Sequence, residues 1–210
     1  MKKALTAAGL TCALLLAACG NAPGAENRRA ELSAFLNRGK TPGPMQLSAA
    51  AVAASPAPLV GISAAERQTV AIKVAETQGV ASYASADGVG LGMRDHMLVS
   101  VKGLNSDVMS SAPPSAARIA AGEGSHRRSY QILDGLGELQ NLVFDCNLKR
   151  LPAEQIIVAE RKFTAKVVAE NCQNSSGGFE NRYWFDATGR IRQSYQWIGS
   201  GVDFLRLSFG

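Results

Sequence analysis

The chain has 210 residues, of which 46% are hydrophobic, and carries 22 lysines and arginines against 17 aspartates and glutamates, a net charge of +5. That length suits one domain with a sizeable core, and so mild a basic excess does not predict a nucleic-acid-binding protein. Removing the first 18 residues takes away Lys2 and Lys3 and leaves 20 basic and 17 acidic residues, a net charge of +3.

Residues 1–18 have the form of a secretory signal peptide, with two lysines followed by an apolar run over residues 4–18. The run is shorter than the roughly 20 residues that span a bilayer. The sequence LAACG at 16–20 resembles a bacterial lipobox, in which Cys19 becomes the acylated first residue, with palmitate among the acyl groups. The alternative is an ordinary signal peptide cut nearby, with Cys19 incidental. A glycine rather than an aspartate after Cys19 favours sorting to the outer membrane, facing the periplasm.

Residues 19–57 are predicted to form a lipidated tether, because alanine, proline, glycine and serine dominate them. Within the tether, Leu32, Phe35 and Leu36 have the spacing of one helix face and precede Gly39. This spacing predicts a short amphipathic helix after the lipid anchor, which either docks on the domain or lies against the membrane.

Residues 58–210 change to a two-residue period, with turn residues between the apolar stretches. We predict strands at 58–63, 67–76, 80–85, 89–93, 97–102, 127–133, 138–146, 154–160, 163–171, 181–186, 190–198 and 202–209. Residues 105–121 are predicted to hold a helical turn or two, interrupted by Pro113-Pro114. Short connections favour antiparallel pairing, so we expect an all-β domain in which an antiparallel meander curves into a half-barrel or barrel.

The folded part keeps two cysteines, Cys146 and Cys172, once Cys12 leaves with the signal and Cys19 carries lipid. In an oxidising periplasm an even pair predicts a disulfide, which stabilises the fold by on the order of 3–4 kcal/mol for a loop of this length. A metal pair is the alternative, but no histidine lies near either cysteine in the sequence.

No constellation in the sequence predicts catalysis. The glycines of residues 88–92 lack the lysine and the following helix of a phosphate-binding loop, and no Gly-x-Ser-x-Gly elbow presents a serine nucleophile. His96 and His126 have no neighbouring cysteine or carboxylate at metal-ligand spacing. We therefore predict a protein that is not an enzyme and has neither a metal nor a cofactor.

Two stretches, residues 84–111 and 170–199, carry motifs that resemble those of a known family. The motifs are Ala86-Asp87-Gly88, Arg94-Asp95-His96, Gly103–Val108, Glu170-Asn171-Cys172, Asn181–Trp184, Asp186–Gly189 and Ser194–Trp197. With the lipobox, they resemble the YjbF/GfcB-like family, the group 4 capsule polysaccharide lipoproteins. This sequence departs from the family at His96 and Asn105, where glycine is usual, and at Ser200, where proline often stands.

The resemblance implies an outer-membrane lipoprotein of exopolysaccharide or capsule export with a β-rich, half-barrel-like fold. It implies neither an enzymatic activity nor a cofactor, and it carries no set of ligand residues. The leading hypothesis is therefore a non-catalytic accessory that binds acidic polysaccharide or export proteins. The alternative is a lipid carrier, in which Tyr183, Phe185, Tyr195 and Trp197 line an open cavity.

The most aromatic stretch, residues 182–199, is predicted to form a hairpin. Asp186–Gly189 suits a type I turn closed by a glycine in the left-handed conformation. The predicted cross-strand pairs are Phe185–Ile191, Trp184–Arg192 and Tyr183–Gln193.

This register divides the hairpin into two faces. The first face, predicted as core with a ligand platform as the alternative, collects Tyr183, Phe185, Ile191, Tyr195 and Trp197. The second face collects Arg182, Trp184, Asp186, Arg190, Arg192 and Ser194.

Trp184 opposite Arg192 predicts a cation–π pair that needs no ligand. The alternative is that Trp184, Arg182, Arg190 and Arg192 contact an acidic polysaccharide or a partner protein, because arginine forks bind carboxylates.

Overall fold

The computed structural model describes residues 46–65, 67–104, 107–133, 137–199 and 202–210. Within them, the chain forms two short helices and twelve strands. The elements are α1 (Ala49–Ala54), β1 (Leu59–Ala64), β2 (Arg67–Thr77), β3 (Val80–Ser85), β4 (Gly90–Arg94), β5 (Met97–Lys102), β6 (Asp107–Ala112), α2 (Ala116–Ala120), β7 (Ser125–Leu133), β8 (Leu139–Val158), β9 (Arg161–Asn174), β10 (Gly177–Phe185), β11 (Ile191–Gly199) and β12 (Asp203–Phe209).

Each strand pairs antiparallel with the next one in the chain, and β1 closes the barrel by pairing with β12. The closing register sets Val60 opposite Phe209 and Ile62 opposite Leu207. The prediction of an all-β antiparallel meander curved into a barrel is confirmed. Closure leaves no free sheet edge, which removes the usual site of strand-to-strand aggregation.

Strand alternation places one set of side chains inside the barrel. On β12, Leu205 and Leu207 are fully buried while Arg206 between them is exposed. Tyr183 and Phe185 also lie in the packed interior, at 0% and 3% exposure. This packing argues against the lipid-carrier alternative, which needs those rings beside an open cavity.

Two predicted segments differ from the structure. Residues 107–112 form β6, so the segment predicted as irregular or helical contains a strand before the proline pair, and helix α2 follows it. The predicted strands 138–146 and 154–160 are one strand, β8, with a register shift between Leu151 and Glu154. Pro152 lies in that shift, where its missing N–H costs no ladder hydrogen bond.

Three hairpins turn on residue pairs with positive φ, the backbone geometry of type I′ turns. The pairs are Gln78-Gly79, Asp95-His96 and Ala159-Glu160. His96 stands where glycine was expected and adopts a φ of 67°. Its ring stacks on Phe209 with the centroids 4.2 Å apart, a contact that holds the side chain in this position.

The ends of β8 and β9 beyond residue 151 form a hairpin, residues 152–165, which we call the arm. One face of the arm is buried, as at Ile156 and Val158 (8% and 3% exposed), while Ile157 between them is 64% exposed. The buried face packs with Trp184 in a second apolar cluster, separate from the barrel core. Because Trp184 alternates with the inward-facing Tyr183 and Phe185, the arm lies on the outside of the barrel.

Helix α1 and the residues before it pack on the same outer cluster through Leu47 and Val52. Ser48 caps the helix, its Oγ accepting from the backbone N–H of Ala51 at 3.1 Å. The helix predicted around Leu32 lies outside the described residues, as does Cys19. In the described part of the chain, no helix is both long enough and apolar enough to cross a membrane.

Cys146 and Cys172 form a disulfide between directly paired positions of β8 and β9, as predicted. Both cysteines are buried, at 1% and 0% exposure. The bond cross-links the two longest paired strands on the inner face of the barrel wall.

Candidate functional site

A row of paired residues runs across the outer face of four neighbouring strands. Trp184 on β10 pairs with Gln193 on β11, Gln193 pairs with Ser208 on β12, and Ser208 pairs with Gly61 on β1. Directly paired residues share a face, so the side chains of this row point away from the barrel interior. Three members of the row, Gln193, Ser208 and Gly61, form the floor of a surface groove.

The groove has a volume of about 290 Å³ and is walled by two pieces of the same chain. One wall is the tip of the arm, residues 157–159, and the other is formed by Gln46 and Leu47. Leu47 lies so close to Gly61 that a Cβ there would be 3.1 Å from the Cβ of Leu47. A side chain at position 61 would therefore displace this wall.

Gln193 lies on the floor of the groove. It is 8% exposed, and its side-chain amide makes no hydrogen bond within the described part of the chain. The amide lines the groove, so its donors and its acceptor can be reached from the open side. The open side of Gln193 faces the groove, so a ligand there would supply the missing partner.

Arg206 adds a positive charge at the same place. Its guanidinium lies 5.3 Å from the ring centroid of Tyr195 and 5.8 Å from that of Trp184. No carboxylate pairs with Arg206 among the described residues. Two aromatic rings thus hold an arginine whose hydrogen-bond donors remain free for an anion.

The hairpin turn was predicted correctly, but the register beyond it was not. Phe185 pairs with Ile191 as expected, and then a bulge at Arg192 sets Trp184 opposite Gln193. The bulge shifts the remaining residues of β11, so Ser194 faces inward and is fully buried.

Two members of the predicted inner face, Tyr195 and Trp197, lie in different surroundings. Tyr195 lies outside and stacks on Phe204 with the centroids 4.5 Å apart, so its predicted place in the core was wrong. Trp197 packs against the barrel core, stacked on Phe179 at 4.6 Å.

The four predicted contact residues do not form one exposed patch. Trp184 is only 4% exposed, because the arm covers it, and its Nε1–H donates to Oε2 of Glu154 at 2.8 Å. Arg182 is half-exposed and pairs with Glu180 at 2.6 Å. The predicted stacking of Arg192 on Trp184 is absent, since Arg192 lies over another ring.

Arg192 instead lies 5.0 Å from the ring centroid of Phe163, and its Nε–H donates to Asp186 at 2.7 Å. Burial alone would raise the pKa of Asp186, but hydrogen bonds from Thr188 and Arg192 outweigh it and lower the pKa. Arg190 is exposed at the adjoining turn. Arg192 thus contacts the arm, and neither Arg190 nor Arg192 lines the groove.

A second polar centre lies inside the barrel, around the carboxylate of Glu170. Oε2 of Glu170 accepts hydrogen bonds from Arg128 at 2.8 Å, Asn181 at 2.6 Å and Tyr183 at 2.9 Å. Its Oε1 lies 2.7 Å from Nε2 of His126. Arg128 and Glu170 are both fully buried, so this is an ion pair without access to water.

The surroundings keep Glu170 ionised. Burial would raise the pKa of its carboxyl, but the Arg128 guanidinium and the hydrogen bonds from His126, Asn181 and Tyr183 lower it to about 2. The same carboxylate raises the pKa of Arg128 despite the cost of burial. The centre is a buried hydrogen-bonded network, in which Nδ1 of His126 and Nε of Arg128 make no hydrogen bond within the described part of the chain.

His126, Cys146 and Glu170 bring potential metal-ligand atoms within 4.8 Å of one another. No histidine is near either cysteine in the sequence, but the fold brings one close, because His126 on β7 pairs directly with Cys146 on β8. The sulfur of Cys146 is in the disulfide and Glu170 is bound to Arg128, so this set does not fit a metal ion.

The model of the family described as group 4 capsule polysaccharide lipoprotein gfcB, YjbF matches residues 29–209. The chain belongs to this family. Among solved structures, it is similar to the hypothetical lipoprotein YmcC of Escherichia coli K12, with a TM-score of 0.69 and 18% identity over 85% of this chain and 93% of that one. At that identity the likeness concerns the fold.

A second similar structure is an exported protein with a YmcC-like fold from Bacteroides fragilis NCTC 9343. Its TM-score is 0.32 at 10% identity, over 72% of this chain and 92% of that one. No curated protein sequence matches the chain significantly.

In this YjbF-family chain, the C-terminal motifs converge on the buried centre. Glu170 comes from the first motif, Asn181 and Tyr183 from the second, and Gln196 from the last. Gln196 Oε1 lies 3.4 Å from Nη2 of Arg128, and its Nε2 donates to Ser194. These four residues of the motifs therefore have a structural role inside the barrel.

Sequence reasoning missed the two groups that mark the groove. Arg206 lies in the alternating stretch Leu-Arg-Leu-Ser-Phe, where an outward arginine is ordinary. Gln193 gave no signal at all, because its isolation depends on the arm and on the residues around Leu47. Only the arrangement of three separate chain segments identifies the groove.

Proposed function

We propose that this YjbF-family protein is a lipid-anchored, non-catalytic accessory of exopolysaccharide or capsule export at the periplasmic face of the outer membrane. It acts by binding acidic polysaccharide in the outer-face groove. The observation that carries the proposal is that the unpaired guanidinium of Arg206 and the unpaired amide of Gln193 line the same groove.

The groove has the chemistry of a site for an acidic sugar. Arg206 offers a two-point contact to a carboxylate, while Gln193, Ser63 and Ser208 offer donors and acceptors for hydroxyl groups. Leu47 supplies an apolar wall for the faces of the sugar rings. An export protein is the alternative ligand, but a groove that combines an arginine, amides and hydroxyl groups with apolar walls favours a polymer of acidic sugars.

Arg206→Gln tests the groove directly. We expect this variant of the full-length lipoprotein, purified in detergent, to bind polygalacturonate roughly tenfold to a hundredfold more weakly than the wild type, because a charge-assisted hydrogen bond contributes about 1.5–3 kcal/mol. Isothermal titration at several salt concentrations measures both the affinity and its dependence on ionic strength, which the variant reduces.

Arg94→Gln is the matched control, since Arg94 is an exposed arginine that does not line the groove. It leaves polygalacturonate binding unchanged. The groove assignment is overturned if the Arg206→Gln variant binds polygalacturonate as the wild type does, or if the wild type does not bind it. Either result favours export proteins as the ligand.

Cys19→Ala tests the anchor. Without the thiol that carries the lipid, we expect the protein to move from the membrane pellet to the soluble periplasmic fraction. Cys12→Ala, inside the signal peptide, is the control and leaves the protein in the pellet. Pelleting of the Cys19→Ala variant in high salt contradicts the lipoprotein assignment.

A further inference from the structure

A second cleft lies on the outer face of β8 and β9, at the end of these strands far from the arm. It has a volume of about 460 Å³ and is lined entirely by polar residues. The lining residues are Asp145, Asn147, Asn171, Gln173, Asn174 and Ser175. Four of the six carry side-chain amides, and we call this site the amide cleft.

The amides of the cleft are available for a ligand. The side chains of Asn147, Asn171 and Gln173 make no hydrogen bond within the described part of the chain. Asp145 pairs with Arg127 at 3.1 Å, so the cleft carries little net charge. An amide offers both donors and an acceptor, which matches the hydroxyl groups of a neutral sugar.

The strands that carry the amides are held rigidly. Asp145 pairs with Gln173, and Asn147 pairs with Asn171. Between these two pairs lies the disulfide-bonded pair, whose side chains point to the opposite face of the wall. A wall that cannot spread loses less conformational entropy when it binds a ligand.

We propose that the amide cleft is a second carbohydrate-binding site, which takes neutral sugar residues of the polymer whose acidic residues bind near Arg206. The inference rests on the proposed function of the groove. Both sites lie on the ribbon of β8 and β9, since residue 157 borders the groove and Asn147 borders the cleft.

Ten residues of strand separate the two sites, a path of at most about 33 Å at roughly 3.3 Å per residue. A polymer chain that spans this path binds both sites at once, and the second contact then forms at a high effective concentration. The neutral cleft thus raises the overall affinity without adding charge.

The test uses the full-length lipoprotein in detergent with two kinds of probe. The neutral probes are dextran, mannan and galactan, and the acidic probe is polygalacturonate. The variant is Asn147→Ala combined with Asn171→Ala. We expect it to weaken binding of the best neutral probe at least tenfold, while polygalacturonate binding keeps its salt dependence.

Asn141→Ala is the matched control, because Asn141 is an exposed amide on the same face of β8 outside the cleft. It leaves binding of the neutral probe unchanged. Both variants unfold at the same denaturant concentration as the wild type, since none of their three substitutions removes a core side chain.

The two assignments fail in different ways. If no neutral probe binds the wild type, or if the paired asparagine variant binds neutral probes as the wild type does, the amide cleft is overturned. If Arg206→Gln leaves polygalacturonate binding unchanged while the asparagine variant loses the neutral probe, the groove assignment fails and the cleft stands.

Discussion

Glu170→Gln is expected to lower the free energy of unfolding by about 3–5 kcal/mol, because it leaves the buried charge of Arg128 without a counterion. Both side chains are fully buried and 2.8 Å apart, so water cannot replace the lost partner. The glutamine keeps the size and shape of the glutamate, which excludes a cavity as the cause. Urea denaturation followed by tryptophan fluorescence measures the change.

Glu180→Gln is the control, since Glu180 also pairs with an arginine but at the surface. It changes the free energy of unfolding by at most about 1 kcal/mol. A double variant, Arg128→Met with Glu170→Met, removes both charges and regains part of the lost stability. If Glu170→Gln alone costs less than about 1 kcal/mol, Arg128 is not held in a dry ion pair.

The same residue gives the wild type a specific acid sensitivity. The pKa of Glu170 is lowered to about 2 in the folded protein, whereas the ordinary value for glutamate is about 4.3. Its stabilising contribution is therefore complete above about pH 5 and is lost as the pH falls toward about 2. Glu170→Gln removes this part of the pH dependence, so the curves of wild type and variant converge in acid.

The barrel is predictable from the sequence because its determinants are local. Turn residues such as Gln78-Gly79 and Asp95-His96 separate stretches with a two-residue period, and short turns leave antiparallel pairing as the only option. The strand β6 was missed because Asp-Val-Met-Ser-Ser-Ala lacks a strong apolar alternation. Its place is set by pairing with β7, which is a long-range contact.

The register of the aromatic hairpin failed for a different reason. The alternation rule assigns polar residues outward, yet Ser194 and Gln196 face inward and are fully buried. They are tolerated there because Gln196 is hydrogen-bonded within the network of Arg128. The bulge at Arg192 makes this arrangement possible, and nothing in the hairpin sequence alone specifies a partner more than 60 residues away.

The candidate site could be predicted only in part. An outward aromatic with nearby arginines was expected on this face, and Trp184 does point away from the barrel interior. The sequence did not predict the arm, which covers Trp184. It also did not predict that Arg206 is the arginine that lines the groove. Trp184 was expected to contact a ligand, but it is buried beneath the arm.

Trp184→Ala is consequently expected to destabilise the protein by about 3–5 kcal/mol, the usual cost of removing a large buried aromatic side chain. The indole is 4% exposed, fills the space between the arm and the barrel, and donates to Glu154. Its loss also loosens the arm, so we expect trypsin to cleave faster at Arg161 and Lys162 near the arm tip. Denaturant titration and timed proteolysis followed by mass spectrometry measure the two effects.

Trp184→Phe and Leu139→Ala are the controls. The phenylalanine keeps most of the packing and loses only the hydrogen bond to Glu154, a loss of about 1 kcal/mol, while Leu139 is 52% exposed and its truncation has little effect. Wild-type stability and cleavage rates in Trp184→Ala would contradict the docked arm. Because the expected loss is structural, weaker ligand binding by a Trp184 variant is not evidence of contact. Arg206→Gln, which removes a surface charge and leaves the outer cluster in place, separates binding from folding.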